Sequence, residues 1–244
     1  MGFKKLRNAT LQRSSFLIIL CLVIQVKIQA TTIDDISGLN ATTISECITV
    51  PQERALELLR QTIQKATLSK KTISIRGAQH TQGGHTFNDH GFILDLSELN
   101  QMHMLSEKVI RVQSGAKWKQ VIEFLDPLGL SVKVMQSDYD FSIGGTVSTN
   151  VHGWQANQPP MIDSIVGFHI LLSDGNLLYC SRSENYDLFK AAIGGYGLFG
   201  PIIDVDLTVT KNKIYELKQS VIDSSEFIEL FNSRVKNNPQ SAMF

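Results

Sequence analysis

Apolar residues recur along the chain with two different periods, and each period predicts a type of element. From Pro51 to Ala66 they recur every three or four residues, which predicts a helix. Residues 116–125 show the same period and are followed by Asp126-Pro127, so they predict a second helix. In contrast, residues 201–210 (PIIDVDLTVT) alternate between apolar and polar positions, which predicts a half-buried strand.

Shorter apolar runs predict the remaining elements. Strands are predicted at 72–75, 92–96, 109–113 and 132–135. Residues 167–181 contain two such runs around Asp174-Gly175, the pattern of a β-hairpin. Residues 186–193 predict a short helix, and Asp223 followed by Glu226 resembles the capping box of a last one. Because strands and helices intermingle without regular βαβ alternation, we expect an α+β fold.

Three stretches between these elements predict no regular structure. Residues 31–45 are polar with scattered isoleucines and are interpreted as a loose lead-in, while 76–85 and 142–153 are rich in glycine and hydroxyl side chains. A loop with several consecutive N–H groups and glycine nearby can bind an anion, and the chain has no Walker-type lysine loop. Two such loops favour a large phosphorylated cofactor, with plain turn chemistry as the alternative.

The first thirty residues differ from the rest. Basic residues precede the apolar run at 16–26 (FLIILCLVIQV), and Ala30 offers a small residue for cleavage. This is the layout of a secretory signal, so we expect a signal peptide over 1–30 and an exported protein, periplasmic or secreted. A retained membrane anchor is the alternative, although the apolar run has about half of the ~20 residues that a spanning helix needs.

Charge and cysteine content bear on partners and on redox state. Removing residues 1–30 takes away five of the 23 Lys and Arg and none of the 23 acids, which leaves a net charge of −5. Without a basic stripe, an acidic protein of ordinary globular composition argues against a nucleic-acid partner. Cys47 and Cys180 remain, either as a disulfide that export would permit or as two free thiols.

Two patterns resemble known binding motifs but lack other features that those motifs require. His80, His85 and His90 are spaced by five, so they share neither a helix face nor a strand face, and no cysteine pair or H-E-x-x-H motif accompanies them. We therefore predict no metal site. Residues 195–200 (GYGLFG) match G-x-G-x-x-G, but a helix is expected before them and a strand after them, the reverse of the dinucleotide fingerprint. These glycines fit close approach to a flat or phosphorylated ligand, or a tight connection.

Taken in order, four motifs resemble the FAD-binding domain of the vanillyl-alcohol oxidase / p-cresol methylhydroxylase (PCMH) family, which includes cytokinin dehydrogenases and aldonolactone and alditol oxidases. They are R-G-x-x-H-T at 76–81, S-I-G-G-T-V-S at 142–148, the hairpin, and G-G-Y-G-L-F-G-P-I-I at 194–203. The resemblance covers roughly residues 45 to 210. It implies a PCMH-type FAD-binding domain of two α/β subdomains over 31–212, and the start of an incomplete substrate-binding (cap) domain over 213–244.

The resemblance also implies which residues contact FAD. The 76–81 motif would bind the pyrophosphate, and His80 falls where many members attach the flavin covalently, although this chain has Gln79 where such members usually have glycine. The second motif would line the flavin ring and diphosphate. The full set of implied cofactor contacts is Arg76, Gly77, Ala78, Gln79, His80, Thr81, His85, Ser142, Gly145, Thr146, Ser148, Asn150, His152, Gly153, Val166 and Ile202.

For function, the resemblance implies an exported FAD-dependent oxidoreductase that oxidises a small alcohol, sugar or sugar lactone by hydride transfer to flavin. The electron acceptor would be dioxygen or an unknown one, and no stable membrane span is expected after signal cleavage. His152-Gly153 after Ser148-Thr149 is more like the sugar-oxidising branch. Asp138 lies near an acid that some members use as a base, but its offset differs, so it is interpreted as an exposed loop acid and no catalytic residue is assigned. The alternative is a catalytically incomplete flavin-binding fragment.

Overall fold

The computed structural model describes residues 31–155 and 158–241, so the predicted signal peptide lies outside the described residues. In chain order, the strands are β1 (Thr31–Ile33), β2 (Thr42–Ile44), β3 (Glu46–Thr49), β4 (Ile73–Arg76), β5 (Phe92–Asp95), β6 (Met102–Ser106), β7 (Val109–Gln113), β8 (Leu130–Val132), β9 (Ile165–Leu171), β10 (Leu177–Ser181) and β11 (Ile202–Lys211). The helices are α1 (Ala55–Ser69), α2 (Trp118–Leu125), α3 (Ile143–Thr149), α4 (Tyr186–Ala192) and α5 (Phe227–Phe231). Within the described ranges, none of these helices is long and apolar enough to cross a membrane.

Two sheets organise the fold. Strands β3, β5 and β4 form a parallel sheet with β5 in the centre, and β10, β9, β11, β7 and β6 form an antiparallel sheet in that order. Strand β8 pairs with the far end of β11, and β1 pairs with β2 as a separate antiparallel ribbon. This mixture of helices with one parallel and one antiparallel sheet confirms the α+β prediction.

Two apolar clusters hold the sheets and helices together. The larger one lies on one face of the antiparallel sheet, where Trp118, Val147 and Phe189 of α2, α3 and α4 pack on it. In the second cluster, Leu59 of α1 packs with residues of the parallel sheet and with Leu171 at the end of β9. The second cluster therefore joins the two sheets and fixes how the end of β4 faces the antiparallel half.

The periodic segments form where they were predicted. Helix α1 buries Leu59, Ile63 and Ala66 on one stripe and ends at Lys70, which adopts a left-handed conformation with φ 52°. The β9–β10 hairpin, β7 and β11 are also confirmed. These elements were predictable because a single buried face determines each of them.

Three predictions about local structure need correction, and β6 is a strand that the sequence did not predict. Strand β8 covers Leu130–Val132 rather than 132–135, because its pairing with β11 begins at Leu130 opposite Lys211. The lead-in 31–45 contains β1 and β2, and β6 was not predicted since its sequence, MHMLS, has neither β-branched residues nor alternation. The stretch 142–153 contains the helix α3 rather than turns alone.

The cysteines and a polar network complete the antiparallel half. Cys47 and Cys180 are both free thiols, and burial raises the pKa of Cys180 to about 11. In the polar network, Arg111 of β7 donates from Nε and Nη2 to the two carboxylate oxygens of Asp206 on β11, at 2.7 and 2.8 Å. The Tyr179 hydroxyl donates to the same carboxylate at 2.9 Å, so Asp206 joins three strands.

Candidate functional site

Three loops meet where the parallel sheet faces the antiparallel half. We call them the histidine loop (77–85), the α3 loop (142–153) and the glycine loop (194–200). The histidine loop starts at the carboxyl end of β4, the side of an α/β sheet where ligands bind. The helix predicted before the glycine loop and the strand predicted after it are α4 and β11.

Hydrogen bonds connect these loops directly. The Ala78 N–H of the histidine loop donates to the Ser142 hydroxyl at 3.4 Å. The Tyr196 N–H of the glycine loop donates to the Ser148 carbonyl at 2.9 Å, and His85 contacts the edge of the Tyr196 ring, with 6.0 Å between ring centroids. The structure therefore brings together three motifs that are far apart in sequence.

Ser142 is the central residue of this arrangement. It is the N-cap of α3, where its hydroxyl accepts the Gly145 N–H at 3.4 Å while it also accepts the Ala78 N–H. Gly77 passes so close that a Cβ placed on it would lie 2.3 Å from the Ser142 hydroxyl oxygen. Only glycine fits at position 77 without displacing Ser142.

The histidine loop has free hydrogen-bond donors. Within the part of the chain that the structure describes, the N–H groups of Gln79, His80 and Thr81 have no acceptor. Consecutive free N–H groups at a turn form a concave site for an anion such as a pyrophosphate. The donors present, and the close approach that Gly77 allows, fit the phosphate part of FAD.

Gln79 is held in place by hydrogen bonds to residues 34 and 36 of the lead-in, rather than by bonds to the other two loops. Its backbone is left-handed, with φ 58°, a conformation that costs a non-glycine residue about 1–2 kcal/mol. Its carbonyl accepts the Ile36 N–H at 3.1 Å and its side-chain amide donates to the Asp34 carbonyl at 3.1 Å. These two bonds offset the strain, and the ring of the neighbouring His80 packs against Phe141 at 4.5 Å.

Replacing Gln79 by valine should lower the free energy of unfolding by about 2 kcal/mol, because a β-branched residue is strained at positive φ and the amide bond is lost. Gln79→Gly loses the same bond but relieves the strain, so its stability should stay close to that of the unsubstituted chain. Urea unfolding measures both variants. A valine variant as stable as the glycine variant would contradict the left-handed conformation.

Two predicted cofactor contacts have side chains that are already bound within the protein. The Arg76 guanidinium lies 3.2 Å from the buried Asp95 carboxylate and donates to the Cys47 sulfur. The Thr146 hydroxyl accepts from the Trp118 indole at 3.1 Å and donates to a backbone carbonyl. Any contact of Thr146 with the cofactor would have to come from its backbone atoms, whereas the buried Arg76 Nε–H has no hydrogen-bond partner among the described residues.

The other predicted residues differ in how close they lie to the three loops. Ser148 and Ile202 line one small cleft together with Gly197 of the glycine loop. Asn150 ends α3 in a left-handed conformation, and its side chain accepts the Ile162 N–H at 3.1 Å. Val166 instead lies on β9 in a separate pocket of about 380 Å³, so the structure does not bring it together with the loops.

The remaining polar residues of the α3 loop are engaged locally. His152 is exposed, and its Nδ1 lies 3.3 Å from the carbonyl of Gly153. Asp138, which precedes this loop, is half-buried rather than exposed as predicted, because it accepts the Asp140 N–H at 2.8 Å within a turn. Among the described residues no group of three or more His, Cys, Asp or Glu is arranged to hold a metal ion.

The sequence interpretation missed one part of the site. Residues 34–40 were interpreted as a loose lead-in, yet they hydrogen-bond to Gln79, Gly83 and Gly84 of the histidine loop. The signal that could have found them is Asp35 two residues before Ser37, a spacing at which an aspartate accepts hydrogen bonds from the chain that follows it.

The comparisons with known proteins identify the class. The family model of an FAD binding domain matches residues 54–181, more than half of the chain. The chain belongs to this family of FAD-binding domains, and its cofactor is FAD.

Individual relatives agree with this assignment. The chain is 28% identical to D-arabinono-1,4-lactone oxidase of Yarrowia lipolytica over 177 residues, which are 70% of this chain and 34% of that protein. It is 27% identical to cytokinin dehydrogenase 3 of Oryza sativa, over 61% of this chain and 30% of the relative. L-gulonolactone oxidase of Mus musculus is 24% identical, over 61% of this chain and 34% of the relative. The chain spans about a third of the length of these curated relatives.

A solved structure confirms the fold. The 6-hydroxy-D-nicotine oxidase of Arthrobacter nicotinovorans superimposes with a TM-score of 0.64 at 20% sequence identity, over 75% of this chain and 43% of that one. The predicted PCMH-type FAD-binding fold is therefore confirmed.

Proposed function

We propose that this chain is the FAD-binding part of an oxidoreductase that oxidises a small alcohol, sugar or sugar lactone, with the FAD-binding domain extending over 31–212. The observation that carries the proposal is the histidine loop, whose free N–H groups lie at the carboxyl end of β4, next to the N-cap of α3. The names of the lactone oxidase relatives support the substrate class.

The residues of the site would bind and orient the cofactor. FAD, when bound, accepts a hydride from a C–H bond next to a hydroxyl group. The N–H groups of 79–81 would donate to its pyrophosphate, and the Ser142 hydroxyl, which bonds Ala78 and Gly145, would keep the histidine loop and α3 at a fixed separation. The Phe141 ring contacts the half-buried His80 ring at a tilt of 53°, which would restrict the orientation of His80.

We propose further that His80 is the covalent attachment point of the flavin. His80→Ala should bind FAD that is released completely when the protein is precipitated with acid, whereas the unsubstituted chain should keep its flavin in the pellet. His85→Ala is the matched control, since it removes a histidine of the same loop and should leave the flavin in the pellet. Flavin that leaves the unsubstituted chain entirely on precipitation would contradict the covalent link.

A second candidate is a flavin-binding chain that does not turn over substrate by itself. It is favoured by the segment 212–223, which has no regular structure and exposes Ile214, Leu217 and Val221 almost completely. Anaerobic mixing with sugar lactones, alditols and simple alcohols distinguishes the two. Bleaching of the flavin absorption supports the enzyme, and no bleaching by any of them supports the second candidate.

Export remains part of the proposal. The basic start, apolar run and small residue of 1–30 support a cleaved signal, which would place the protein in the periplasm or outside the cell. The N-terminal sequence of protein recovered from the exported fraction tests this. An N-terminus close to Ala30 supports cleavage, and an intact Met1 in a membrane fraction supports the anchored alternative.

A further inference from the structure

We propose that residues 34–40, which we call the brace, hold the histidine loop in the shape that binds FAD, and that Asp35 is the positioning residue of the brace. The inference rests on the proposed FAD site but concerns a segment that lies before the family match, which begins at residue 54. In this proposal Asp35 acts through its bonds to the loop and to Ser37 rather than by contact with the cofactor.

The first link between brace and loop is a chain of bonds that starts at the Asp35 carboxylate. Its Oδ2 accepts the Gly84 N–H at 2.7 Å. Its Oδ1 accepts both the backbone N–H and the hydroxyl of Ser37, at 2.9 and 2.5 Å. Because the Ser37 hydroxyl donates to Asp35, its oxygen is free to accept the Gly83 N–H, which it does at 2.9 Å. Two successive N–H groups of the histidine loop are thus bound by one aspartate–serine pair.

The second link lies on the other side of His80. Gln79 is bonded twice to the brace, through its carbonyl to the Ile36 N–H and through its amide to the Asp34 carbonyl. The brace therefore holds the residue before His80 and the residues three and four after it. Between these points, the loop has no regular secondary structure that would determine its shape.

Close packing makes the contact specific. Gly84 is buried and left-handed, with φ 67°, and a Cβ on it would lie 2.7 Å from the carbonyl oxygen of Asn40. A glycine at this position lets the brace and the loop approach to backbone contact.

The charge of Asp35 argues for positioning rather than cofactor binding. A carboxylate beside a pyrophosphate would repel it, whereas a carboxylate whose two oxygens are already bound by N–H and O–H donors can stay ionised and hold those donors. The Ser37 hydroxyl, followed by the Gly84 N–H, lowers the pKa of Asp35 to about 2 against the raising effect of burial, so the ionised form is present at neutral pH.

The test compares Asp35→Asn with Asp34→Asn. Asparagine at 35 must point an NH₂ group at one of the N–H or O–H groups that now donate to the carboxylate. The Asp34 side chain does not bond to the loop, and its Oδ1 accepts the Asp35 N–H at 2.8 Å, an acceptor that asparagine keeps; the bond from the loop to Asp34 uses the backbone carbonyl. Both substitutions remove one negative charge at neighbouring positions. FAD titration in the His80→Ala background, where the flavin is exchangeable, gives the Kd of each variant.

We expect Asp35→Asn to raise the Kd for FAD about tenfold, the effect of losing one charge-assisted hydrogen bond, and Asp34→Asn to change it less than about twofold. Ser37→Ala, which keeps the carboxylate, should give an intermediate rise. The urea midpoint should fall for Asp35→Asn and Ser37→Ala, which lose bonds of the brace. Each Kd is therefore measured without urea on variants shown to be fully folded there, which separates positioning of the loop from general destabilisation.

Equal Kd values for Asp35→Asn and Asp34→Asn would overturn the proposal. If Asp35→Asn does not fold, Ser37→Ala decides: an unchanged Kd in that variant overturns the brace, and a raised Kd in the folded variant supports it. A His80→Ala chain that binds no FAD, together with an unsubstituted chain that also contains none, contradicts the proposed function itself, and the brace fails with it.

Discussion

Gly77→Ala is expected to purify with less than about a tenth of the flavin of the unsubstituted chain. The new Cβ would lie 2.3 Å from the Ser142 hydroxyl oxygen and 3.0 Å from its Cβ, distances at which one residue must move. Moving Ser142 breaks its bonds to the N–H groups of Ala78 and Gly145, so the histidine loop and α3 separate where the pyrophosphate would bind. Overpacking of this kind should also cost about 1–3 kcal/mol of stability. Flavin absorbance per chain and urea unfolding give the two values.

Two further variants identify the cause. Gly129→Ala introduces a side chain at φ 67° with no atom within 4 Å of its Cβ, so it should lose about 1 kcal/mol to backbone strain and keep its flavin. Adding Ser142→Gly to Gly77→Ala removes the clashing atoms. Glycine is tolerated as an N-cap, so the remaining cost is the loss of the acceptor for the Ala78 N–H, which Gly77→Ala has already broken. If the double variant is no more stable than Gly77→Ala alone, contact with Ser142 is not the reason.

Asp206→Asn should lower the free energy of unfolding by about 3 kcal/mol, the range for breaking a buried ion pair from one side. The Asp206 side chain is 3% exposed, and the Arg111 guanidinium that it binds through two bonds would lose its main partner. Tyr179 provides a second measurement. Burial, and then the bond to Asp206, raise its pKa to about 12, so the pKa should fall in the variant while staying above the ordinary value near 10.

Asp163→Asn is the matched control for this network. Asp163 pairs with Lys133 at 2.7 Å, but its side chain is 46% exposed, so the same substitution should cost less than about 1 kcal/mol. Denaturant unfolding of the two variants in parallel gives the comparison. Similar losses at 163 and 206 would mean that burial of the Arg111–Asp206 pair does not contribute as argued.

The sequence predicted the elements whose burial is periodic and missed those that depend on tertiary contacts. Helix α1 and the β9–β10 hairpin follow from local patterns, and both form at the predicted places in the chain, although their ends differ by a few residues. Helix α3 does not. Its sequence, IGGTVST, contains two glycines and, after Ile143, three β-branched residues, and all of these have low intrinsic helix propensity. It forms because Ser142 caps it, because Val147 is fully buried, and because the Trp118 indole donates to the Thr146 hydroxyl.

The candidate site was likewise predicted in part. The order of the motifs was enough to predict an FAD-binding fold and the loops that would meet. It could not predict that the Arg76 guanidinium pairs with Asp95, that Val166 lies in a different pocket, or that residues 34–40 contact the histidine loop. Each of these depends on which residue of another segment lies opposite. The Asp35–Ser37 spacing indicates a local turn at most, and it does not tell which loop that turn contacts.

The visible absorption spectrum of the purified full chain tests the central claim most directly. We expect the absorption bands of a bound flavin, with FAD present in a stoichiometric amount after incubation with the cofactor and removal of the excess. A folded chain that stays colourless after that incubation would contradict the assignment of the histidine loop, the α3 loop and the glycine loop as an FAD site.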